Sequence, residues 1–378
     1  MRKSITIVDF SHLNMRNLFI ALMQAKPKKK DGLFITEEFI QYHKSLVFNS
    51  LQFIKNKFKN EIILAIDGQA NWRKKFYKDY KANRSKAKED NEINFEEFFE
   101  ATDEMLEAIK TNFPFKVVRV NAAEADDIAG VIAIKFGNTM DIILVTSDHD
   151  WLQVQAHGNI QMWDPIKKEN RFLSDYEKVM IQTDMGPMSR FTIMHTLTGD
   201  KGDNVPSITG LSHFSDEFKS YLKENNINSD SVKTVTALDI WPELVEKYEV
   251  YDIVKSGKKK GEIKDTKNIF KTVPYGIKKA EKHCYSNDTL QEFLLSHEMY
   301  KENFKRNKIL VDFTEVPEEV QKDILSEFST VQINYNPNGI LDYFMNEKLG
   351  LHVNNINKFY SGKYESQNTK SLDDFLDF

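Results

Sequence analysis

The chain has 378 residues, of which 40% are hydrophobic and 29% are charged, and its formal net charge is −5. This length and apolar content suit two domains, or one elaborated domain, with a substantial core. The single cysteine, Cys284, excludes an intrachain disulfide framework and a multi-cysteine zinc site, and a lone thiol fits a reducing compartment.

The first ten residues, MRKSITIVDF, lack the apolar stretch and the cleavage site of a secretory signal. No segment approaches the ~18 consecutive apolar residues that are typical of a membrane-spanning helix. We therefore expect a soluble, cytoplasmic protein with no membrane partner.

Four short apolar runs predict buried strands, at residues 5–8, 62–66, 117–120 and 142–145. Between the first two runs lies an amphipathic helical stripe that begins after Thr36, the expected N-cap. Between the last two, residues 125–136 are apolar on one face and are followed by Gly137, which often ends a helix. Alternating strands and helices predict an α/β fold in which a parallel sheet is covered on both faces.

The pattern changes after about residue 180, where it becomes mainly helical. We expect a core domain at residues 1–180, a mainly helical domain at 181–360 and a flexible tail at 361–378. The helical domain contains a polar, irregular insertion at about residues 211–270, which includes the basic segment KSGKKKG.

Acidic residues follow the end of every predicted strand. Because the carboxyl ends of parallel strands meet at one edge of a sheet, these side chains are expected to converge there. A single acid at such a position is more simply a turn former or helix cap, but capping does not explain acids after all four strands. The seven residues are Asp9, Asp67, Glu124, Asp126, Asp127, Asp148 and Asp150.

Carboxylates at this density repel one another, so they require a cation. No histidine or cysteine cluster accompanies them, and all-oxygen ligation indicates two Mg²⁺ ions, with Mn²⁺ as a substitute, rather than zinc. Two such ions about 4 Å apart are typical of phosphodiester hydrolysis. Asp200 and Asp203, in GDKGDNVPSITG, have a spacing that places both on one side of a turn, where they would complete the second metal site.

A basic arm at residues 72–88 follows Asp67, with eight lysines and arginines against one acid, Asp79. Aromatic residues are interleaved with these bases. Cations neutralise phosphates and aromatic rings stack on bases, so we predict nucleic-acid binding, although charge runs are usually solvated helix faces. The predicted contacts within the arm are Arg73, Lys74, Lys75, Tyr77, Lys78, Tyr80, Lys86 and Lys88.

Together these motifs resemble the flap endonuclease or 5′ nuclease family. The resemblance runs through IVDF, AIDGQ, WRKKFYKDYKANR, EADD, SDHD and GDKGDNV to KENFKRNKILVDF and NNINKFY, and so covers most of residues 4–360. It implies a PIN-like nuclease core, a helical arch at about residues 70–104, and a helix–three-turn–helix element that grips duplex DNA. It also implies a 5′-3′ exonuclease and flap endonuclease with RNase H activity, which removes RNA primers and adjacent DNA from lagging strands.

The resemblance assigns roles to individual residues. Lys81 and Arg84, in YKANR, match the arch positions that steer the scissile phosphate and are the expected catalytic cations. Asp127, Asp200 and Asp203 would lie nearer the second ion than the other acids do. NVPSITG resembles the first half of the duplex-gripping motif, and YGIKKAEK, with the nucleic-acid-binding residues Lys278 and Lys279, resembles the second half about sixty residues later.

The last eight residues, SLDDFLDF, resemble the C-terminal peptides by which replication proteins of T-even phages hold the sliding clamp. Apolar residues at a polar terminus are often binding anchors, and a flexible tether raises their effective concentration. The predicted anchors are Leu372, Phe375, Leu376 and Phe378. The resemblance also suggests a single-stranded DNA-binding protein as a partner of the monomer, in addition to DNA and RNA–DNA hybrid.

The residues leave two other functions open. One is a PIN-type ribonuclease for single-stranded RNA, which the long arm and the GDKGDN element disfavour. The other is a non-catalytic DNA-binding protein tethered to a clamp, which the complete set of carboxylates disfavours. No G-x-G-x-x-G follows the first strand, so a dinucleotide-binding site is not indicated.

Overall fold

The computed structural model describes residues 2–25, 37–82, 93–208, 245–253, 263–272, 275–296, 298–334 and 336–359, with the backbone alone at 245–253 and 263–272. The chain forms two compact units, one comprising residues 1–180 and 312–378 and the other residues 181–311. No helix in the described ranges combines the length and the apolar content needed to cross a bilayer.

The strands of the described ranges are β1 (Ser4–Asp9), β2 (Glu61–Ile66), β3 (Lys116–Arg119), β4 (Asp141–Val145), β5 (Ile160–Asp164), β6 (Glu169–Arg171), β7 (Met180–Thr183), β8 (Gly186–Ser189), β9 (Val245–Ile253) and β10 (Ile263–Thr272). The helices are α1 (Phe10–Ala25), α2 (Glu37–Phe58), α3 (Phe95–Asn112), α4 (Ala125–Phe136), α5 (Asp175–Lys178), α6 (Arg190–Thr198), α7 (Ile277–Ala280), α8 (Asn287–Leu295), α9 (Glu298–Val311), α10 (Glu318–Thr330), α11 (Pro337–Asn346) and α12 (Gly350–Val353).

A six-stranded sheet with the order β3-β2-β1-β4-β5-β6 forms the centre of the first unit. The four predicted strands are confirmed and pair in parallel, with Ile7 of β1 opposite both Ile63 and Leu144. Strands β5 and β6 were not predicted; β5 is parallel to β4, and β6 is an antiparallel edge strand. The order and direction bring the carboxyl ends of β1, β2, β3, β4 and β5 to one edge, as the acids require.

Helices cover both faces of this sheet, as the alternating pattern predicted. Helices α1, α2 and α3 pack on one face, where Val8 and Leu64 of the sheet share a core with Leu51 and Ile109. Helices α4 and α10 cover the other face. The predicted bounds of α4 are confirmed, and Gly137 is its C-cap.

The C-terminal helices complete the core of the first unit. The ring of Phe48 on α2 lies 5.0 Å from that of Phe113, 5.1 Å from Phe344 on α11 and 6.3 Å from Phe359. The ammonium group of Lys116 on β3 donates to the carbonyl oxygen of Phe328 on α10 at 2.6 Å. Residues 312–359 therefore pack with the core domain, whereas the sequence grouped them with the preceding helical domain, because their apolar faces match the aromatic side of α2.

The second unit contains the hairpin β7–β8, the hairpin β9–β10 and helices α6 to α9. The expected helical character is present. The described part of the insertion is not irregular, however, because β9 and β10 pair antiparallel over nine to ten residues, with Tyr248 opposite Ile269. That expectation was wrong: both strands are rich in β-branched and aromatic residues, which outweigh their many charges.

Candidate active site

Asp9, the last residue of β1, is buried and held through both carboxylate oxygens. Oδ1 accepts from the backbone N–H of His12 at 2.9 Å, and Oδ2 accepts from the Thr146 hydroxyl at 2.9 Å. Burial and repulsion from Asp67 and Asp148 raise the pKa of Asp9 to about 7. The site therefore favours either a proton or a cation beside this carboxylate.

Asp67 is positioned by a close approach of two loops. Backbone N–H groups of Gly68 and Ala70 donate to the carbonyl oxygens of Ala123 and Asn121 at 2.7 and 2.9 Å. A Cβ at Gly68 would lie 2.2 Å from a carbonyl oxygen of the facing loop, so only glycine fits. The solvent-exposed side chain of Asp67 then accepts from the backbone N–H of Ala125 at 2.8 Å and thereby caps α4.

Asp126, in the first turn of α4, accepts from the indole N–H of the fully buried Trp151 at 2.6 Å through Oδ1. Burial raises the pKa of Asp126 well above its ordinary value; nearby Lys81 opposes this shift, and repulsion from Asp148 and Asp9 adds to it. The raised pKa shows that this carboxylate also lies in a site that lacks compensating charge.

The loop after β4 is fixed by short hydrogen bonds. The Thr146 hydroxyl accepts from the backbone N–H of Asp148 at 3.1 Å, and Oδ1 of Asp148 accepts from the N–H of Asp150 at 3.0 Å. The Ser147 hydroxyl donates to Asp164 at 2.7 Å. Thr146 therefore links Asp9 to Asp148, and both carboxylates are held in place before any ligand binds.

Asp164, Thr146 and Trp151 are functional neighbours that sequence reasoning missed. Asp164 closes β5 at the same sheet edge as the other acids, and it would have been found had β5 been recognised. It is 1% exposed and also accepts from the backbone N–H of Ile166 at 2.8 Å, with Arg171 3.8 Å away. Since the protein itself provides these partners, Asp164 orients the loop instead of offering an oxygen to a ligand.

Four acids, which we term the open carboxylates, share one property. Each lies near another of the four, as their mutual repulsion shows. In two of them, on α4 and in the loop after β4, Oδ1 accepts an N–H while Oδ2 accepts no hydrogen bond from any residue that the structure describes. Such a donor set suits a hard divalent cation. The open carboxylates are Asp9, Asp67, Asp126 and Asp148.

Glu124 and Asp127, which we term the paired carboxylates, lie in the same EADD motif but are bound by protein cations. The ammonium group of Lys81 lies 2.5 Å from Oε1 of Glu124, and the guanidinium of Arg73 lies 2.8 Å from Asp127 and 3.4 Å from Glu124. Burial opposes the shift, but Lys81 and Arg73 lower the pKa of Glu124. Unlike the open carboxylates, these two acids are already neutralised.

The hydrogen bonds of the paired carboxylates complete this network. Asp127 accepts from the indole N–H of Trp72 at 3.1 Å and from the backbone N–H of Glu124 at 2.9 Å. Glu124 accepts from the Tyr80 hydroxyl at 3.0 Å. Both oxygens of Glu124 and Oδ2 of Asp127 accept hydrogen bonds, and Oδ1 of Asp127 has Arg73 as its ion-pair partner.

The network changes the interpretation of two arm residues. Arg73 was expected to contact nucleic acid, but its side chain is 1% exposed, and Tyr80 is 3% exposed. A buried guanidinium between two carboxylates is a structural cation that fixes the start of the arm to α4. Within its described part, the basic run thus contains a cation, Arg73, that neutralises protein carboxylates instead of facing solvent.

Three lysines of the described arm face solvent. Lys74, Lys75 and Lys78 are exposed, and Tyr77 is half-buried. Their contacts with nucleic acid stay predictions. The other predicted residues of the arm and the whole tail lie outside the described residues, namely Arg84, Lys86, Lys88, Leu372, Phe375, Leu376 and Phe378.

The second unit holds the remaining predicted residues. The loop of Asp200 is closed by Oδ1 accepting from Gly202 N–H at 2.7 Å, and the amide of Asn307 braces it by donating to the carbonyl oxygen of Pro206 at 2.8 Å. Asp203 is largely buried. On α7, Lys278 is exposed and Lys279 is half-buried. The metal role of the two acids and the DNA role of the two lysines stay predictions.

Comparison with known proteins identifies the sequence relatives. Residues 4–185 match the family model described as 5′-3′ exonuclease, N-terminal resolvase-like domain. Ribonuclease H of Enterobacteria phage T4 is 25% identical over 366 residues, which cover 95% of this chain and 96% of that protein. Flap endonuclease of Escherichia phage T5 is 26% identical over 158 residues, 40% of this chain and 52% of the relative.

Among solved structures, the flap endonuclease of bacteriophage T5, in a pseudo-enzyme-product complex with DNA and metal ions, aligns with a TM-score of 0.47 and 20% identity. The alignment covers 86% of this chain and 99% of the T5 chain.

Proposed function

Because this chain belongs to the flap endonuclease family of 5′ nucleases, we propose that it is a magnesium-dependent 5′-3′ exonuclease and flap endonuclease that removes RNA primers and adjacent DNA in lagging-strand replication. The observation that carries this proposal is the convergence of the four open carboxylates at the carboxyl edge of the sheet. The raised pKa values of Asp9, Asp67 and Asp126, with the Oδ2 atoms of Asp126 and Asp148, to which no described residue donates, fit a divalent cation and disfavour an empty structural cluster.

Asp9, Asp67, Asp126 and Asp148 would hold the first Mg²⁺, for which Mn²⁺ would substitute. Asp150 at the same edge, with Asp200 and Asp203, would serve the second ion. When bound, the ions supply Lewis-acid chemistry that activates water and stabilises the leaving oxygen of the phosphodiester. The hydrogen bonds from Thr146, Trp151 and the backbone hold the carboxylates in advance, so little reorganisation is needed when the cation binds.

Cations of the arm would bind the substrate. Lys81 and Arg84 would stabilise negative charge on the scissile phosphate, while the exposed Lys74, Lys75 and Lys78 would contact the backbone of a single strand. Backbone contacts position nucleic acid without reading its sequence, so selectivity would come from shape and a free 5′ end. Lys278 and Lys279 would bind duplex DNA in the same manner.

The final segment of the chain supports a further part of the proposal. Leu372, Phe375, Leu376 and Phe378 would anchor the enzyme to a phage sliding clamp, and a single-stranded DNA-binding protein would be a second partner of the monomer. Deletion of residues 371–378 should abolish clamp binding in a pull-down experiment while cleavage of free oligonucleotides stays unchanged. Equal clamp binding by the truncated and full-length proteins would contradict this assignment.

The direct test is cleavage of a 5′-labelled panel of nicked RNA–DNA hybrid, 5′-flap DNA, blunt duplex and single-stranded RNA, with Mg²⁺ or with EDTA. We expect Mg²⁺-dependent cutting of hybrid and flap that is lost in Asp148→Ala and retained in Asp175→Ala, which removes an exposed acid of α5 that is not among the predicted site residues. Cutting confined to single-stranded RNA would assign the chain to the PIN ribonuclease class instead. A folded protein that cuts nothing would leave a clamp-tethered DNA-binding protein.

A further inference from the structure

Lys81 stands between the two sets of carboxylates. Its ammonium group lies 2.5 Å from Oε1 of Glu124, in a site where both side chains are largely shielded from water. It also acts electrostatically on the open carboxylates Asp67 and Asp126, since it opposes the rise in the pKa of each. This lysine therefore supplies part of the positive charge that the site requires.

A metal ion bound by Glu124 would lie close to the cations that already surround this carboxylate. Oε1 is paired with Lys81, and Oε2 accepts from Tyr80 at 3.0 Å with Arg73 at 3.4 Å. Of these three partners, Lys81 makes the shortest contact and is the least buried. A divalent cation on Glu124 would repel the adjacent ammonium group, so binding of the ion favours release of Lys81.

Lys81 and Arg73 differ in how firmly they are held. Arg73 is 1% exposed, bridges Asp127 and Glu124, and stacks on Trp72 with 4.5 Å between guanidinium carbon and ring centre. Lys81 pairs with Glu124 and lies 5.1 Å from the centre of the Tyr80 ring, and its side chain is more exposed than that of Arg73. Its backbone adopts a φ of +56°, in the left-handed region that residues other than glycine disfavour. The lysine can leave Glu124, whereas the arginine is built into the protein.

We propose that Lys81 is an exchangeable counter-ion, which neutralises Glu124 in the metal-free enzyme and passes to a phosphate of the nucleic acid when a divalent cation takes its place at Glu124. The inference rests on the proposed nuclease function and adds to it a coupling between the two ligands. Because coupling of binding equilibria is reciprocal, metal would tighten DNA binding through Lys81 by the same factor as DNA tightens metal binding.

The first experiment measures Ca²⁺ binding by calorimetry to the full-length wild type, Lys81→Met, Glu124→Gln and the double variant. If Lys81 and the ion compete for Glu124, Lys81→Met should bind Ca²⁺ roughly tenfold more tightly than wild type. This factor corresponds to removal of a partly shielded ion pair that weakens ion binding by about one decade. This gain in Ca²⁺ affinity should vanish when Glu124→Gln is also present, because the carboxylate for which Lys81 and the ion compete is then missing. A gain of equal size in both backgrounds, or no gain, would overturn the proposal.

Two further variants separate the loss of the ion pair from effects of backbone strain and of overall charge. Lys81→Gly removes the cation but suits the positive φ, so it should reproduce the gain of Lys81→Met without backbone strain. Lys78→Met removes an exposed charge from the same arm and should leave ion affinity within about twofold of wild type, because a solvated charge is well screened. If Lys78→Met raised the ion affinity as much as Lys81→Met, a general effect of charge would explain the result, and the proposed exchange would be wrong.

The second experiment measures binding of a fluorescent 5′-flap DNA with and without Ca²⁺. Ca²⁺ should increase the DNA affinity of wild type more than that of Lys81→Met. An equal increase in the two proteins would contradict the exchange. Intrinsic tryptophan fluorescence gives an independent signal of ion binding, since the indole N–H of Trp151 is hydrogen-bonded to Asp126. Cleavage with Mg²⁺ is measured separately. A wild type that does not cleave would contradict the proposed function, while the Ca²⁺-binding measurements on the four proteins would still test the role of Lys81.

Discussion

The open carboxylates and the paired carboxylates differ in what holds them, although Asp126 and Asp127 are adjacent in the chain. The open set is held by neutral N–H and O–H donors, and its members retain their repulsion. The paired set is held by Arg73 and Lys81, which cancel its charge. Neutral donors orient a carboxylate without satisfying its need for a cation, so the open set can bind one directly, whereas, in the proposed exchange, Glu124 of the paired set does so only after Lys81 leaves.

The strongest test of this comparison removes the buried cation of the paired set. Arg73→Met should lower the free energy of unfolding by about 3–5 kcal/mol, because it leaves Asp127 as a buried, uncompensated charge. Urea unfolding followed by circular dichroism measures the change. Lys74→Met, at the exposed next position, should shift the same value by less than about 0.5 kcal/mol.

Substitution of the adjacent acids by amides should separate activity from stability. Asp126→Asn should reduce the cleavage rate on the order of a hundredfold to a thousandfold, as for loss of one preorganised stabilising group, without loss of folded stability. Removing its charge relieves the repulsion with Asp9 and Asp148. Asp127→Asn should instead destabilise the fold by weakening the bond to Arg73. Single-turnover cleavage and thermal unfolding of both variants measure the two effects. Equal losses of activity and stability in the two variants would refute the distinction between open and paired carboxylates.

Trp151 tests whether a neutral donor positions an open carboxylate. Trp151→Phe retains most of the buried ring but removes the N–H that donates to Asp126 at 2.6 Å. Since partners of metal ligands are typically worth about 10–100-fold in metal affinity, Mn²⁺ binding should weaken within that range. Titration calorimetry measures the change. Trp72→Phe, which removes the donor to Asp127, is the matched control and should affect ion affinity much less.

The smallest expected effect is a pH dependence of the metal-free protein. The folded chain keeps a proton on Asp9 up to a pKa of about 7, whereas the unfolded chain loses it near the ordinary value of 3.8. Between these values the folded state binds more protons, so this group stabilises the protein at low pH and its contribution is lost as pH rises through 7. Thermal unfolding from pH 4 to 8 should show stability from this group falling up to about pH 7 and levelling off above it, and Mg²⁺ should reverse the trend.

A complementary measurement uses proton release. If Asp9 is protonated near pH 7, metal binding at this pH should release a proton, and its apparent affinity should fall as pH is lowered. Calorimetry in buffers with different ionisation enthalpies counts the protons. Absence of release at pH 6.5 would show that Asp9 is already ionised and that neutral donors compensate its charge.

Sequence reasoning located the acids but could not rank them. Acids after four apolar runs identified the edge of the sheet, because strand ends and their order follow from local patterns. It missed β5, and with it Asp164, because the IQMWD run mixes polar and apolar residues. It also treated Arg73 as one of eight similar cations, since nothing in a basic run shows which member is buried.

The sequence by itself thus determined the parallel character of the sheet, four of its strands and the convergence of acids at one edge. The tertiary structure alone decided which acids stay open, because that depends on contacts between distant positions. Trp72 and Asp127 are 55 residues apart, Lys81 and Glu124 are 43 apart, and Trp151 and Asp126 are 25 apart. Periodicity and capping rules act over a few residues, whereas the charge balance of each carboxylate is set by partners that only folding brings into contact.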